Sequence, residues 1–216
     1  PLLRKGLPLL VSMLDKIPGI EDIALTTNGL LLPQFAGELR DAGVQRVTVS
    51  LDSLNDATLA RVSGRPIKSA DVLAGIEAAQ DAGFDAVKVN AVVQKGVNDD
   101  DVLPLATHFR GTGVVMRFIE FMDVGTLNGW NRESVVTGAE MVARIAQDYP
   151  LEPVAPNYRG EVASRYRYAD GQGEVGFITA VSQPFCGDCS RLRVAPNGEL
   201  YTCLFGSQGH PLKPLF

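Results

Sequence analysis

AVKVNAVV, the run from Ala86 to Val93, decides how the rest of the chain is read. Its valines and alanines suit a β-strand, and Lys88 and Asn90 stand two apart, so their side chains share one face. A strand covered on both faces should be an unbroken apolar run. Here a lysine and an amide interrupt it. Working back towards the start, the pattern predicts a helix over 69–82, capped by Ser69 and closed by Gly83, and a helical stretch over 56–62. Before these come a strand, RVTVSL, at 46–51, a helix at 33–42 stopped by Gly43, and a strand at 22–26 leading into Thr27-Asn28-Gly29. The opening residues 1–16 place Leu7, Leu10, Val11 and Leu14 at helical spacing until Pro18-Gly19. Towards the other end, a helix over 99–109 and a strand over 114–121 follow. Four strands alternating with helices predict a parallel sheet with crossover helices.

The remainder has a different texture. A loop at 125–131 and a helix at 137–148 lead to Pro150, Pro153 and Pro156, which should break regular structure. Short strands are expected at 162–168, 175–179, 191–194 and 200–203. The boundary is expected near 148–156, giving one domain at 1–148 and a smaller one at 149–216.

Composition narrows the function classes. With 216 residues, 45% hydrophobic, the chain can bury one sizeable core. It has no apolar run of about 18 residues, which argues against a membrane span. A net charge of −5 argues against a nucleic-acid surface, so any anion must be held by a local basic cluster. Three cysteines make no disulfide framework and fit metal ligation in a reducing cytoplasm.

Ligands of parallel βα arrays gather at the carboxyl ends of the strands. Those ends carry Thr26, Thr27 and Asn28; Ser50 and Asp52; Lys88 and Asn90; and Arg117 and Glu120 just before Met122. Each has an ordinary explanation alone. A strand lysine commonly sits at a rim with its ammonium in water, Arg117 could pair with Glu120, and Met122 could be core. Together at one mouth, two cations and several hydroxyls suggest a polyanion site.

The stretch FCGDCSRLRVAPNGELYTCLF at 185–205 holds every cysteine, as C-x2-C-x13-C at Cys186, Cys189 and Cys203. A hairpin turn is expected at Pro196 to Gly198. Two readings fit the thiols: a structural zinc with His210 as the fourth ligand, or a four-iron cluster in which three cysteines leave one iron open. Arg191 and Arg193, two apart, favour a site that also binds phosphate or carboxylate.

Five stretches carry a resemblance over essentially the whole chain: GIEDIALTTNGLLL (19–32), VTVSLDSL (47–54), VKVNAVVQKGVNDD (87–100), MRFIEFMDVGTLNGW (116–130) and FCGDCSRLR with the later YTCLF. The chain resembles the molybdenum cofactor biosynthesis protein A family, the GTP 3′,8-cyclases of the radical S-adenosylmethionine (SAM) superfamily. The resemblance implies an α/β fold: an incomplete TIM-type βα barrel, represented by the last four of its six βα units, with a small C-terminal α+β iron-sulfur domain. It implies SAM contacts at Asn28, Ser50 and Met122. It implies GTP contacts at Thr26, Lys88, Arg191, Leu192 and Arg193, with a charge-stabilising role at Arg117. Cys186, Cys189 and Cys203 match ligands of a [4Fe-4S] cluster whose open iron meets the purine.

By the same resemblance, a second [4Fe-4S] cluster, on a Cys-x3-Cys-x2-Cys loop, cleaves SAM to a radical that abstracts hydrogen from the ribose C3′ of GTP. Pro1 matches the end of the family's Gly-Gly-Glu-Pro motif. The chain is therefore expected to be a fragment without that loop, inactive alone, and ending short of the family's C-terminal tail. Expected partners are GTP, SAM, a downstream pyranopterin synthase and a second copy of the chain as a homodimer, with no nucleic acid and no membrane. The expected location is cytoplasmic. The alternatives are a peptide-modifying radical SAM enzyme with an auxiliary cluster, which usually carries more cysteines, and a zinc-stabilised binding module.

Overall fold

The computed structural model describes residues 1–124 and 129–215. In chain order the elements are α1 (Leu7–Asp15), β1 (Ala24–Thr27), α2 (Leu32–Asp41), β2 (Arg46–Ser50), α3 (Asp56–Ser63), α4 (Ser69–Asp81), β3 (Ala86–Val93), α5 (Val102–Phe109) and β4 (Val115–Glu120). Then follow α6 (Gly138–Ala146), β5 (Leu151–Val154), β6 (Ser164–Tyr168), β7 (Glu174–Ile178), β8 (Arg193–Val194), β9 (Glu199–Tyr201) and β10 (His210–Pro211). Strands β1 to β7 form one sheet in the order β1-β2-β3-β4-β7-β6-β5. It is parallel from β1 through β4 to β7, and antiparallel from β7 to β6 to β5. Strands β8 to β10 form a separate small antiparallel sheet. Among the described residues no helix is long and apolar enough to cross a membrane.

Period-two alternation divides the large sheet into two unlike faces. Val47, Val49, Val87, Val89, Ala91, Met116, Phe118, Val175 and Phe177 are buried on one face. There α4 packs on β2 and β3, and α5 and α6 on β4. Val72, Ile76 and Ala79 recur at helical spacing along α4, as do Leu32, Ala36 and Leu39 along α2. Each buried Val, Leu or Ile among them contributes about 1.5–3 kcal/mol by leaving water. The other face is polar: Thr48 pairs with Lys88, Ser50 with Asn90, and Asn90 with Arg117. Lys88 therefore interrupts the valines without entering the core.

The predicted βα order is observed, with several differences. A fifth parallel strand, β7, joins β4, so the sheet runs across the boundary expected near 148–156. Pro153 does not break structure. It lies in β5, an edge strand, opposite Tyr166, where proline's missing N–H is tolerated. Ser69 is the first residue of α4 rather than its cap. Its N–H and hydroxyl both donate to Asp56 Oδ1, at 2.8 Å each, because α3 presents that carboxylate beside it. Helix α6 begins with a reciprocal cap between Thr137 and Glu140. The hairpin at 196–198 forms, with Gly198 at φ 82° and its N–H donating to the Ala195 carbonyl at 2.9 Å. Of the loop expected at 125–131, residues 125–128 lie outside the described ones.

One close approach sets the turn after β1. A Cβ at Gly75 of α4 would lie 2.2 Å from the Gly29 carbonyl oxygen, while one at Gly29 would lie 2.9 Å from a Val49 methyl. Backbone rather than a mobile side chain is the obstacle at Gly75, so helix and turn would have to separate. Gly75→Ala is expected to destabilise the fold by roughly 2–3 kcal/mol, read as a lower urea midpoint at unchanged slope; an unaltered midpoint would contradict this packing.

Candidate functional site

Among the described residues, the polar face of the sheet carries several cavities, three of which are lined by the expected site residues. The first, about 270 Å³, is lined by Arg46, Lys88, Arg117 and Arg165 together with Glu161 and Glu174. Arg117 is held in place by donating from Nε to Asn90 Oδ1 at 2.9 Å and from Nη2 to Thr48 Oγ1 at 3.2 Å. Arg165 is engaged by Glu174 at 2.7 Å, and Arg46 by Asp22. Burial, then the charges of Arg117 and Arg46, pull the Lys88 ammonium below the usual lysine range. Arg117 is lowered too, chiefly by burial, but a guanidinium keeps its proton. Concentrated positive charge of this kind is stabilised by an anion.

The second cavity, about 690 Å³, lies at the carboxyl ends of the strands. Cys186, Cys189 and Cys203 line it, with Arg191, Arg193, Thr26, Asn90 and Met122. All three cysteines are free and exposed. Cys186 to Asp188 form a single 3-10 turn closed by the Cys189 N–H on the Cys186 carbonyl. Arg191 donates from Nη2 to Cys189 Sγ at 3.2 Å and stacks over the Phe185 ring at 5.0 Å. Its backbone N–H foremost, then its guanidinium, hold the Cys189 thiol below the usual range. Arg193 Nη1 is buried without a hydrogen-bond partner.

The third cavity, about 560 Å³, is lined by Thr26, Thr27, Asn28, Ser50, Arg65 and the first three residues. Thr26 borders this cavity and the cysteine one. The expected site residues thus fall into adjoining groups: Asn28 and Ser50 in one cavity, Met122 with the cysteines and arginines in the next, and Lys88 and Arg117, which lie near the starts of β3 and β4 and not at the carboxyl ends where they were expected, in the cationic one. Asn90 links the last two, since it lines the cysteine cavity and orients Arg117. Leu192 is 63% exposed between its two arginines.

Other strand-end residues serve the framework instead. Asp52 accepts from the Val92 N–H at 2.8 Å, and burial raises its carboxyl. Glu120 is fully buried on the opposite face from Arg117, so the two do not pair. Sequence reasoning missed Arg46 and Arg165. Arg46 could have been found, because it precedes Thr48 by two and shares its face. Arg165 could not, because nothing local reveals that β6 lies beside β7.

A loop ties the cationic cavity to the cysteine turn. Asn157, Tyr158 and Glu161 line the cavity, while Arg159 donates to Asp188 Oδ1 from Nε at 2.8 Å and from Nη2 at 2.7 Å. A Cβ at Gly160 would stand 2.6 Å from the Asp188 carbonyl oxygen, so glycine lets the two backbones touch.

Among the described residues no three His, Cys, Asp or Glu side chains are grouped to hold a single metal ion. A four-iron cluster takes its thiolates on separate irons, hence further apart. Three free thiols around one cavity, with an unpaired buried guanidinium N–H beside them, form a donor set that fits such an anionic group.

Known proteins resemble the chain over its whole length. The Molybdenum Cofactor Synthesis C model matches residues 114–216. The chain is 60% identical over 214 residues to a GTP 3′,8-cyclase of Xanthomonas campestris pv. campestris (strain B100), covering 99% of this chain and 63% of that protein. The GTP 3′,8-cyclases of Acidothermus cellulolyticus and Staphylococcus epidermidis (strain ATCC 35984) are 55% and 47% identical over 100% of this chain, and 59% and 63% of their own lengths. The chain thus spans about three fifths of the length of these relatives. A radical SAM methyltransferase from Sphaerobacter thermophilus overlays 58% of this chain and 36% of its own at TM-score 0.44 and 21% identity, too loosely to argue from. The Radical SAM superfamily model matches residues 1–109, half of the chain, and the chain belongs to that superfamily.

Proposed function

We propose that this chain is the substrate-holding part of a GTP 3′,8-cyclase acting in molybdenum cofactor biosynthesis. The observation that carries the reading is the shared cavity: three free cysteines, Arg191, Arg193, Thr26 and Met122 meet over the strand ends, and the cationic pocket adjoins. Relatives named GTP 3′,8-cyclase support it at up to 60% identity. On this reading residues 1–148 are the later units of an incomplete βα barrel and carry the SAM side, while 149–216 carry the substrate side, although one sheet serves both. Asn28, Ser50 and Met122 contact SAM.

Cys186, Cys189 and Cys203 would hold a [4Fe-4S] cluster, which supplies an open iron to anchor the purine. The other functions belong to the side chains. Arg191 and Arg193 grip the nucleotide beside the thiols, with Leu192 offering its main chain between them. Lys88 and Arg117 neutralise the triphosphate, which brings about four negative charges into a protein of net charge −5. A radical reaction at this site requires water and stray hydrogen donors to be kept out once the ligands are in place. By the same resemblance a second cluster, a homodimeric state and a downstream pyranopterin synthase complete the system.

In the full-length, anaerobically reconstituted protein, Arg193→Ala should weaken GTP binding about tenfold to a hundredfold by removing a charge-assisted donor. Unchanged affinity by equilibrium dialysis would sink the reading. Serine at any one of the three cysteines should remove about four irons and four sulfides per chain, and zinc at unit stoichiometry in the parent protein would point to a structural site instead. The lowered Lys88 ammonium predicts a pH effect of definite sign. Its protonated, anion-binding form is lost as pH rises, earlier than the ordinary lysine value of 10.5. Tripolyphosphate affinity should therefore decline on the alkaline side, and Lys88→Arg should flatten the curve; a flat parental curve would count against the assignment.

A further inference from the structure

Glu120 has no part in the chemistry above, yet it is completely buried at the end of β4. Its Oε1 accepts from the Gly138 N–H at 2.8 Å and from the Ser182 hydroxyl, and its Oε2 accepts from the N–H groups of Val181 and Ser182 at 2.8 Å each. Every partner is a donor, so the pocket is built for an acceptor-only group.

The partners belong to three different places. Gly138 opens α6, where a Cβ would stand 2.3 Å from a Thr179 methyl. Val181 and Ser182 form the turn that leaves β7, closed by the Gln183 N–H on the Thr179 carbonyl at 3.1 Å. Only Pro184 and Phe185 separate that turn from Cys186. On the other side, Met122 follows Glu120 by two residues and lines the cysteine cavity. One carboxylate thus joins the strand end that leads to Met122 of the cavity lining to the root of the turn that carries the cysteines.

The turn needs such an anchor. It lies outside the large sheet, and the strands that follow it belong to the small one. The ion pair that Asp188 of the cysteine turn makes with Arg159 is exposed, and exposed pairs hold little.

We propose that Glu120 is a positioning residue of the substrate site. By gripping Val181 and Ser182 it fixes how far Cys186, Cys189 and the Arg191/Arg193 pair stand from Met122 and the strand ends, and so selects the ligand that bridges them. The claim rests on the reading that the cavity holds GTP.

Full-length reconstituted protein carrying Glu120→Gln, Glu120→Asp or Ser182→Ala tests it. Glu120→Gln, which turns an amide N–H towards donors, should lower GTP affinity about tenfold, and Ser182→Ala about threefold, while SAM affinity changes less than about twofold. Glu120→Asp, one methylene short, should not rescue. Amide exchange should rise in 181–190 and stay unchanged in β3. Equal losses for GTP and SAM, or faster exchange everywhere, would reduce Glu120 to a general stabiliser; unchanged GTP affinity with unchanged exchange would overturn the proposal. If Glu120→Gln does not fold, Ser182→Ala decides by the same ratio. A parent protein that does not bind GTP would refute the functional reading, while exchange in 181–190 would still decide what Glu120 holds.

Discussion

Parallel pairing in one fixed register is the constraint on which the site depends. Because Thr48, Lys88, Asn90 and Arg117 keep the same parity across neighbouring strands, these polar side chains gather on one face, backed by a continuous apolar one. A slip of one residue would turn Lys88 and Arg117 into the helix layer and Val87 and Met116 out of it. Burial of the valine face therefore places the charges, with no interaction among the cations needed to bring them together. Burial first, and then the neighbouring cations, lower both Lys88 and Arg117, so the apolar face holds them there against desolvation and repulsion together.

The polar face is organised from both ends. Near the start of the strands sit Arg46, Lys88 and Arg117, braced by Asp22, Asn90 and Thr48. Beyond their far ends sit the thiols and the second pair of arginines, carried by turns and irregular chain except for Arg193, which opens the short strand β8. Rigid backing with a looser rim is how a fold combines fixed charge placement with room for a large ligand.

Local patterns made much of this legible. The alternation in Ala86–Val93 and the Pro-Asn-Gly turn each depend on residues close in sequence, and each is present in the structure. Glu120 shows where the reading stopped. Its position next to Met122 suggested the mouth of the site, but strand parity sends it to the other face from Arg117, and its partners lie 18 and 61 to 62 residues away. Pro153 and β7 were misjudged for a related reason. Whether a proline is tolerated depends on its strand being at an edge, and the sheet that β7 joins is fixed by long-range packing that no local window contains.

The loop from Asn157 to Glu161 touches the cationic cavity with one side and the cysteine turn with the other, and at Gly160 the contact is backbone on backbone. Two binding places that share a wall are thermodynamically linked. Whatever fills one cavity and shifts that wall changes the affinity of the other by the same factor in both directions. Occupancy of the cationic cavity and geometry at the thiol end are thus reciprocal quantities, and each can be read by measuring the other.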